Sequence, residues 1–193
     1  MLGLKLPTDP RWVRLVEQDL REVLVDHAWC EQKAASNAIS IIVRHPELTD
    51  LVKALTAIAC EEMEHFGLVV EKITERGWSL GPERKDHYVN DILAFVRKEG
   101  SREARLVDRL LFSAMIEARS CERFKLLSEQ VNDEDLRAFY RGLMESEAGH
   151  YATFIGFARR YGKEVDVDAR WKEFLAFEAE VIAGYGRVGT MHG

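Results

Sequence analysis

The chain has 193 residues, of which 47% are hydrophobic and 31% charged, and its formal net charge at pH 7 is −6. This length suffices for one domain with a buried core, and the acidic charge excludes a protein whose whole surface binds nucleic acid. The three cysteines form no C-x-x-C pair, which argues against a disulfide framework or a thiolate metal site. The sequence has no apolar run of membrane-spanning length and no N-terminus typical of a signal peptide. We therefore expect a cytoplasmic protein with no membrane partner.

The first half of the chain is predicted to fold into two long helices. The first begins near Pro10, breaks near Asp26 and continues to Arg44. Pro46 ends it, because proline lacks the amide hydrogen that a helix interior needs. The second helix covers residues 47–76, and the glycine that follows it is a typical helix terminator.

The second half is predicted to contain two more long helices and two shorter ones. In chain order they are a short segment near residues 87–98, long helices at about 101–129 and from the turn at 132–135 to 161, and a last helix near 167–183. About 25 residues join the second and third long helices, enough to cross the length of a bundle. We therefore predict an all-α, ferritin-like four-helix bundle with one long crossover connection and an extra terminal helix. It forms a single domain over residues 1–193, with a loose tail from about residue 185.

A glutamate three residues before a histidine occurs twice, as Glu62 with His65 and as Glu147 with His150. This spacing puts both side chains on one helix face, where they can bind a single metal ion. One copy alone would be weak, because a surface ion pair on a helix has the same pattern.

Two further glutamates strengthen the metal interpretation. Glu31 lies 31 residues before Glu62, Glu117 lies 30 residues before Glu147, and each midpoint falls on a predicted turn. Antiparallel helices that reverse midway bring such equidistant residues to the same height. The sequence thus predicts four carboxylates and two imidazoles at one level of the bundle, the ligand set of ferritin-like di-iron and di-manganese proteins. The predicted ligands are Glu31, Glu62, His65, Glu117, Glu147 and His150, with Glu122 as the alternative to Glu117.

Carboxylate and imidazole ligands suit iron or manganese. The predicted catalytic group is the di-iron centre itself, with no separate side chain assigned. The sequence has no flavin or dinucleotide fingerprint, so an oxygenase would take electrons from a separate donor. The ligand set alone also fits a ferroxidase, a manganese catalase or a peroxide reductase. An alternative of another class is a metal-stabilised binding module without turnover.

Several segments resemble the bacterial tRNA hydroxylase family. They are LKLPTDPRWV, VLVDHAWCEQKAAS around Glu31, EEMEHF, and IEARSCERF followed by ESEAGHY. The resemblance implies a di-iron monooxygenase that hydroxylates the isopentenyl group of 2-methylthio-isopentenyl adenosine beside the anticodon of tRNA. It implies two iron ions, dioxygen, and an external ferredoxin-like or reductase donor. Its metal ligands correspond to the six residues that the spacing selects.

A basic cluster is predicted at the bundle end opposite the two tight turns, from residues in separate parts of the chain. These are Arg76, Arg97, Lys98, Arg102, Arg105, Arg159, Arg160 and Lys163. A basic rim on an acidic protein is typical of a phosphate-binding surface. The alternative is a solvated helix end, because four glutamates, Glu75, Glu99, Glu103 and Glu164, dilute the positive charge.

Overall fold

The computed structural model describes residues 2–185 and 191, and it has seven α-helices and no β-strand in that part of the chain. The helices are α1 (Trp12–Gln18), α2 (Leu20–Arg44), α3 (Thr49–Glu75), α4 (His87–Ala94), α5 (Arg102–Gln130), α6 (Glu134–Tyr161) and α7 (Val167–Tyr185). They form two compact units. The larger unit holds residues 2–17 and 86–185, and the smaller unit holds residues 18–85 and 191. The predicted loose tail lies outside the described residues, apart from residue 191.

The smaller unit is a hairpin of α2 and α3. The buried positions of α2 recur every three or four residues, as at Leu24, Ala28, Glu31, Ala35 and Ala38, which places them on one helix face. The small alanine side chains let the two helices approach closely. The hairpin turn begins at His45, whose amide donates to the carbonyl oxygens of Ile41 and Ile42 and closes the last turn of α2.

The predicted helix break near Asp26 is wrong. The interruption lies at Asp19, between α1 and α2, and Asp26 is a buried residue inside α2. Its carboxylate accepts a hydrogen bond of 2.8 Å from the amide of Met191. A buried aspartate with such a partner does not compete for its own helix backbone, so the helix continues through it.

The predicted end of α3 is confirmed. Gly77 has a φ of +73°, and its amide donates to the carbonyl oxygen of Thr74 at 2.9 Å. Glycine has no Cβ and reaches this left-handed conformation without strain. The chain then returns along α2, where the indole of Trp29 donates to the carbonyl oxygen of Gly81 and the Lys33 ammonium donates to that of Arg84.

The larger unit is built on a second hairpin, α5 with α6. The Ser101 hydroxyl accepts a hydrogen bond from the amide of Ala104 and caps α5, and the Asp133 carboxylate caps α6 through the amide of Leu136. Both are preferred N-cap residues. The predicted starts of the third and fourth long helices are therefore confirmed.

A buried ion network joins the N-terminal segment, α5 and α7 of the larger unit. Arg119 is fully buried and donates to Glu178 Oε1 at 2.9 and 2.5 Å, to the carbonyl oxygen of Leu6, and to Glu122. The Glu122 carboxylate also accepts from the amide and hydroxyl of Thr8 at 2.9 and 2.8 Å. A buried guanidinium needs such charged partners, because an unpaired charge in the interior costs several kcal/mol.

Candidate metal centre

Three predicted ligands come together inside the α2–α3 hairpin. His65 Nδ1 lies 3.6 Å from Glu31 Oε2 and 3.8 Å from Glu62 Oε2, and one ligand atom of each residue lies within 4.8 Å of the others. All three side chains are buried, Glu62 completely. Glu31 comes from α2 and the other two from α3, so the hairpin brings together residues 31 positions apart in the sequence. We call this set the Glu31 triad.

The Glu31 carboxylate has a second partner in its own helix. His27 is fully buried, and its Nε2 lies 2.5 Å from Glu31 Oε1. Burial by itself would raise the pKa of the Glu31 carboxyl, but hydrogen bonds to His27 and His65 hold that pKa well below its ordinary value. Glu31 is therefore an anion oriented from two sides.

The remaining three predicted ligands come together inside the α5–α6 hairpin. Glu117 on α5 and Glu147 with His150 on α6 are all buried, and each offers a ligand atom within 4.8 Å of those of the other two. We call this set the Glu117 triad. It repeats the composition of the Glu31 triad, since one helix supplies a glutamate and its antiparallel partner supplies Glu-x-x-His.

Glu122, the alternative to Glu117, lies in the ion network described above. Its carboxylate oxygens accept from Thr8 and Arg119. Glu117 and Glu122 are five positions apart on α5, which turns their side chains to different faces of the helix. The contacts therefore favour Glu117 as a ligand and give Glu122 a structural role.

Each triad fits a divalent metal ion. Two carboxylates and one imidazole are donors that suit iron or manganese. Buried carboxylates this close together repel each other, and a bound cation removes most of the cost of keeping them ionised in the interior. The buried glutamate and histidine clusters are thus compatible with a metal site.

The structure places seven of the eight predicted basic residues in the larger unit, with all seven exposed. The eighth, Arg76, belongs to the smaller unit, is half-buried, and donates to the carbonyl oxygen of Lys72 at 2.9 Å. Arg159 forms an exposed ion pair with Asp168 at 2.8 Å. Seven of the eight predicted basic residues are thus surface cations of one unit.

His27 lies one turn from Glu31 in the sequence, but no role was assigned to it from the sequence alone. The signal that could have found it is its position four residues before Glu31, one helical turn away on the same face. A histidine so placed can orient a ligating carboxylate, and its partner in the structure is Glu31 rather than solvent.

No helix among residues 2–185 is both long and apolar enough to cross a membrane.

The family model described as tRNA-(MS[2]IO[6]A)-hydroxylase (MiaE) matches residues 2–193 of the chain. The chain is 39% identical to a tRNA 2-(methylsulfanyl)-N(6)-isopentenyladenosine(37) hydroxylase from Pseudomonas putida, over 93% of this chain and 86% of that protein. A protein of the same name from Salmonella typhimurium is 28% identical, over 98% of this chain and 87% of that protein.

Among solved structures, the chain is similar to Protein 43 with aldehyde deformylating oxygenase activity from Synechococcus. The TM-score is 0.92 and the identity is 33%, over 99% of this chain and 96% of that chain. Together with the seven described helices, this similarity confirms the predicted all-α, ferritin-like fold class.

Proposed function

Because the chain belongs to the MiaE family of tRNA hydroxylases, we propose that it hydroxylates the isopentenyl group of 2-methylthio-isopentenyl adenosine in tRNA. The observation that carries this proposal is the family match over almost the whole chain. The two buried triads support it, because they offer metal donors in a protein of a family named for hydroxylating a nucleoside of tRNA.

We further propose that the chain binds two iron ions, one held by the Glu31 triad and one by the Glu117 triad. The matched composition of the triads supports this, since each offers two carboxylates and one histidine. Bound iron would supply the electrons that activate dioxygen, which no side chain can do alone. An external donor, a ferredoxin-like protein or a reductase, would return electrons to the iron. The reaction would take place in the cytoplasm.

The residues of this chain would then have distinct tasks. The glutamates would hold the metal as anions, and the imidazoles of His65 and His150 would complete the donor set. His27 keeps Glu31 oriented and ionised. The apolar residues around the triads, such as Ala35, Ala38 and Ala114, are fully or almost fully buried and keep bulk water away from the metal donors.

The experiment that tests this function compares tRNA from cells with and without the gene. The tRNA is digested to nucleosides, and the hydroxylated and unhydroxylated forms of the isopentenyl nucleoside are measured. We expect the hydroxylated form only where the gene is present, and its restoration in a deletion strain by the wild-type gene but not by a Glu62→Ala gene. Equal amounts of the hydroxylated nucleoside with and without the gene would refute the assignment.

A second candidate is an aldehyde deformylating oxygenase, which the likeness to the Synechococcus protein favours. The purified, iron-loaded protein with a reducing system can be offered an aliphatic aldehyde and modified tRNA in parallel. We expect turnover of the tRNA nucleoside and no loss of the formyl group from the aldehyde. The reverse result would favour the second candidate.

A further inference from the structure

A layered group of aromatic and guanidinium side chains lies at the C-terminal end of α6. The rings of Phe157 and Tyr161 stack with their centroids 5.9 Å apart and their planes 7° from parallel. The Arg160 guanidinium lies 6.0 Å from the Phe157 centroid and 5.6 Å from the Tyr161 centroid. Both rings are half-buried and Arg160 is exposed. Such stacked π surfaces can bind an unpaired nucleic-acid base.

Three chain segments with exposed basic residues meet beside this group. The amide of Arg97 donates to Asp108 Oδ2 at 2.9 Å, and the amide of Glu164 donates to Glu103 Oε1 at 2.6 Å. The segment after α4 and the turn after α6 therefore both lie against the first two turns of α5. The basic side chains at this end of the larger unit are Arg97, Lys98, Arg102, Arg105, Arg159, Arg160 and Lys163, all exposed.

The local charge is opposite to that of the whole chain. Residues 97–105 and 156–168 together contain seven lysines and arginines and five aspartates and glutamates, which gives a net charge of +2, whereas the whole chain carries −6. Of the seven cations, Arg159 is paired with Asp168, and Arg97 lies 3.8 Å from buried Asp108. A local positive surface on an acidic protein favours the phosphates of a nucleic acid at that place.

The aromatic pair lies on the same helix face as two predicted metal ligands. Phe157 follows His150 by seven residues and Tyr161 follows it by eleven, spacings of about two and three helical turns. At a rise of 1.5 Å per residue, the rings lie about 10 and 16 Å beyond His150 along the helix axis. One face of α6 thus carries Glu147 and His150 in its middle and the stacked rings at its end.

From this arrangement we infer that Phe157, Tyr161 and Arg160 form a stacking platform for an unpaired base of the RNA substrate, while the surrounding arginines and lysines bind the adjacent phosphates. The inference rests on the proposed function, which makes tRNA the substrate. It goes beyond that function by identifying the surface of the protein that binds the RNA. Sequence-specific RNA binding commonly uses such platforms for loop bases, because loop bases can be splayed out and stacked.

The test uses the full-length, iron-loaded protein and tRNA purified from a strain that lacks the gene. Dissociation constants are measured for wild type, Tyr161→Leu and Arg160→Gln at two salt concentrations. We expect both substitutions to weaken tRNA binding about tenfold, the typical effect of losing one base-stacking contact. Replacing Lys163 by glutamine should weaken binding and lower the salt slope by about one, as for a lost phosphate contact.

Two variants serve as matched controls. Arg141→Gln removes an exposed arginine from the opposite end of the same helix, about 28 Å from Arg160 along the axis. We expect its dissociation constant to stay within about twofold of the wild type. Tyr161→Phe keeps the aromatic ring and removes only the hydroxyl, so it should bind tRNA like the wild type. This result would assign the effect of Tyr161→Leu to the lost ring and not to the lost hydroxyl. If Tyr161→Leu lowers the melting temperature, the exposed Arg160→Gln substitution still decides the question.

The outcomes separate the two proposals. A wild-type protein that hydroxylates tRNA, with Tyr161→Leu and Arg160→Gln binding tRNA as well as Arg141→Gln does, would overturn the platform and leave the function intact. A wild-type protein that neither binds nor hydroxylates the tRNA would overturn both. Unchanged tRNA binding with slower reduction of the iron by the electron donor would assign this surface to an acidic protein partner and also overturn the platform.

Discussion

His27 Nε2 lies 2.5 Å from Glu31 Oε1. The two residues are one helical turn apart in α2, and His27 is fully buried. The same carboxylate reaches across the hairpin to His65 at 3.6 Å. The Glu31 carboxylate is thus held in its orientation by a histidine of its own helix. In metal proteins, the loss of such an orienting contact typically weakens metal binding by roughly 10- to 100-fold.

Replacing His27 by leucine should weaken metal binding without removing it. The substitution leaves Glu31 without its helical partner, so the carboxylate loses its fixed orientation, and we expect a 10- to 100-fold loss of metal affinity. His27→Gln retains a hydrogen-bond donor and should lose less. Titration of the metal-free protein with ferrous ion under anaerobic conditions measures the difference. Equal affinities for His27→Leu and the wild type would show that this contact does not support the site.

Removing a triad residue should abolish metal binding and activity together. Glu62→Ala and His150→Ala each delete a buried donor, and we expect the iron content per chain and the hydroxylation of tRNA to fall in parallel. Metal analysis of the purified variants gives the first quantity, and nucleoside analysis gives the second. The control is Glu64→Ala, which removes an exposed carboxylate from the same helix. A Glu62→Ala protein that keeps its full iron content would contradict the assignment.

Glu117 and Glu122 should respond in opposite ways. Glu117→Ala should lose metal, whereas Glu122→Ala should keep most of it. Because Glu122→Ala removes a partner of the buried Arg119 guanidinium, it should lower the free energy of unfolding by about 3 kcal/mol. That corresponds to a fall of roughly 6–12 °C in the melting temperature of a chain this long. If Glu122→Ala strips the metal and Glu117→Ala does not, the choice of ligand on α5 is wrong.

The thiol of Cys121 should make stability fall at high pH. Burial and the nearby Glu147 carboxylate raise the pKa of this thiol to about 11, from an ordinary value of 9.0. The unfolded chain therefore releases the thiol proton at lower pH than the folded protein does. The stabilising contribution of the protonated thiol is complete below about pH 9 and is lost as the pH rises through about 11.

Denaturation experiments between pH 8 and pH 11 test this statement. The difference in unfolding free energy between the wild type and Cys121→Ala should shrink as the pH rises. A Cys121→Ala protein that shows the full alkaline loss of stability would assign that loss to other groups.

Local signals in the sequence located most helix boundaries. The start near residue 101, the turn at 132–135 and the stop at Gly77 were all predicted, and in the structure Ser101, Asp133 and Gly77 each act on backbone groups within a few residues. The break assigned to Asp26 failed because the partner of that carboxylate is Met191, 165 positions away. Propensity cannot anticipate a partner so distant in the chain.

The grouping of the candidate metal ligands was predictable for a related reason. Glu31 with Glu62 and His65, and Glu117 with Glu147 and His150, follow from helix periodicity and the position of each turn, which are local quantities. Glu122 was different, because its role depends on which neighbour it contacts in the folded protein. In the structure this neighbour is the buried guanidinium of Arg119.

The amino-acid sequence by itself determined the helices, the two hairpins and the residues that can ligate a metal, since these depend on spacing along single helices and across short turns. Only the tertiary structure decided where the buried charges find partners: Arg119 with Glu178 across 59 positions, and Thr8 with Glu122 across 114. A charged side chain is stable in the interior only next to a partner of opposite charge or a hydrogen-bonding group. The position of that partner depends on how distant segments of the chain pack together.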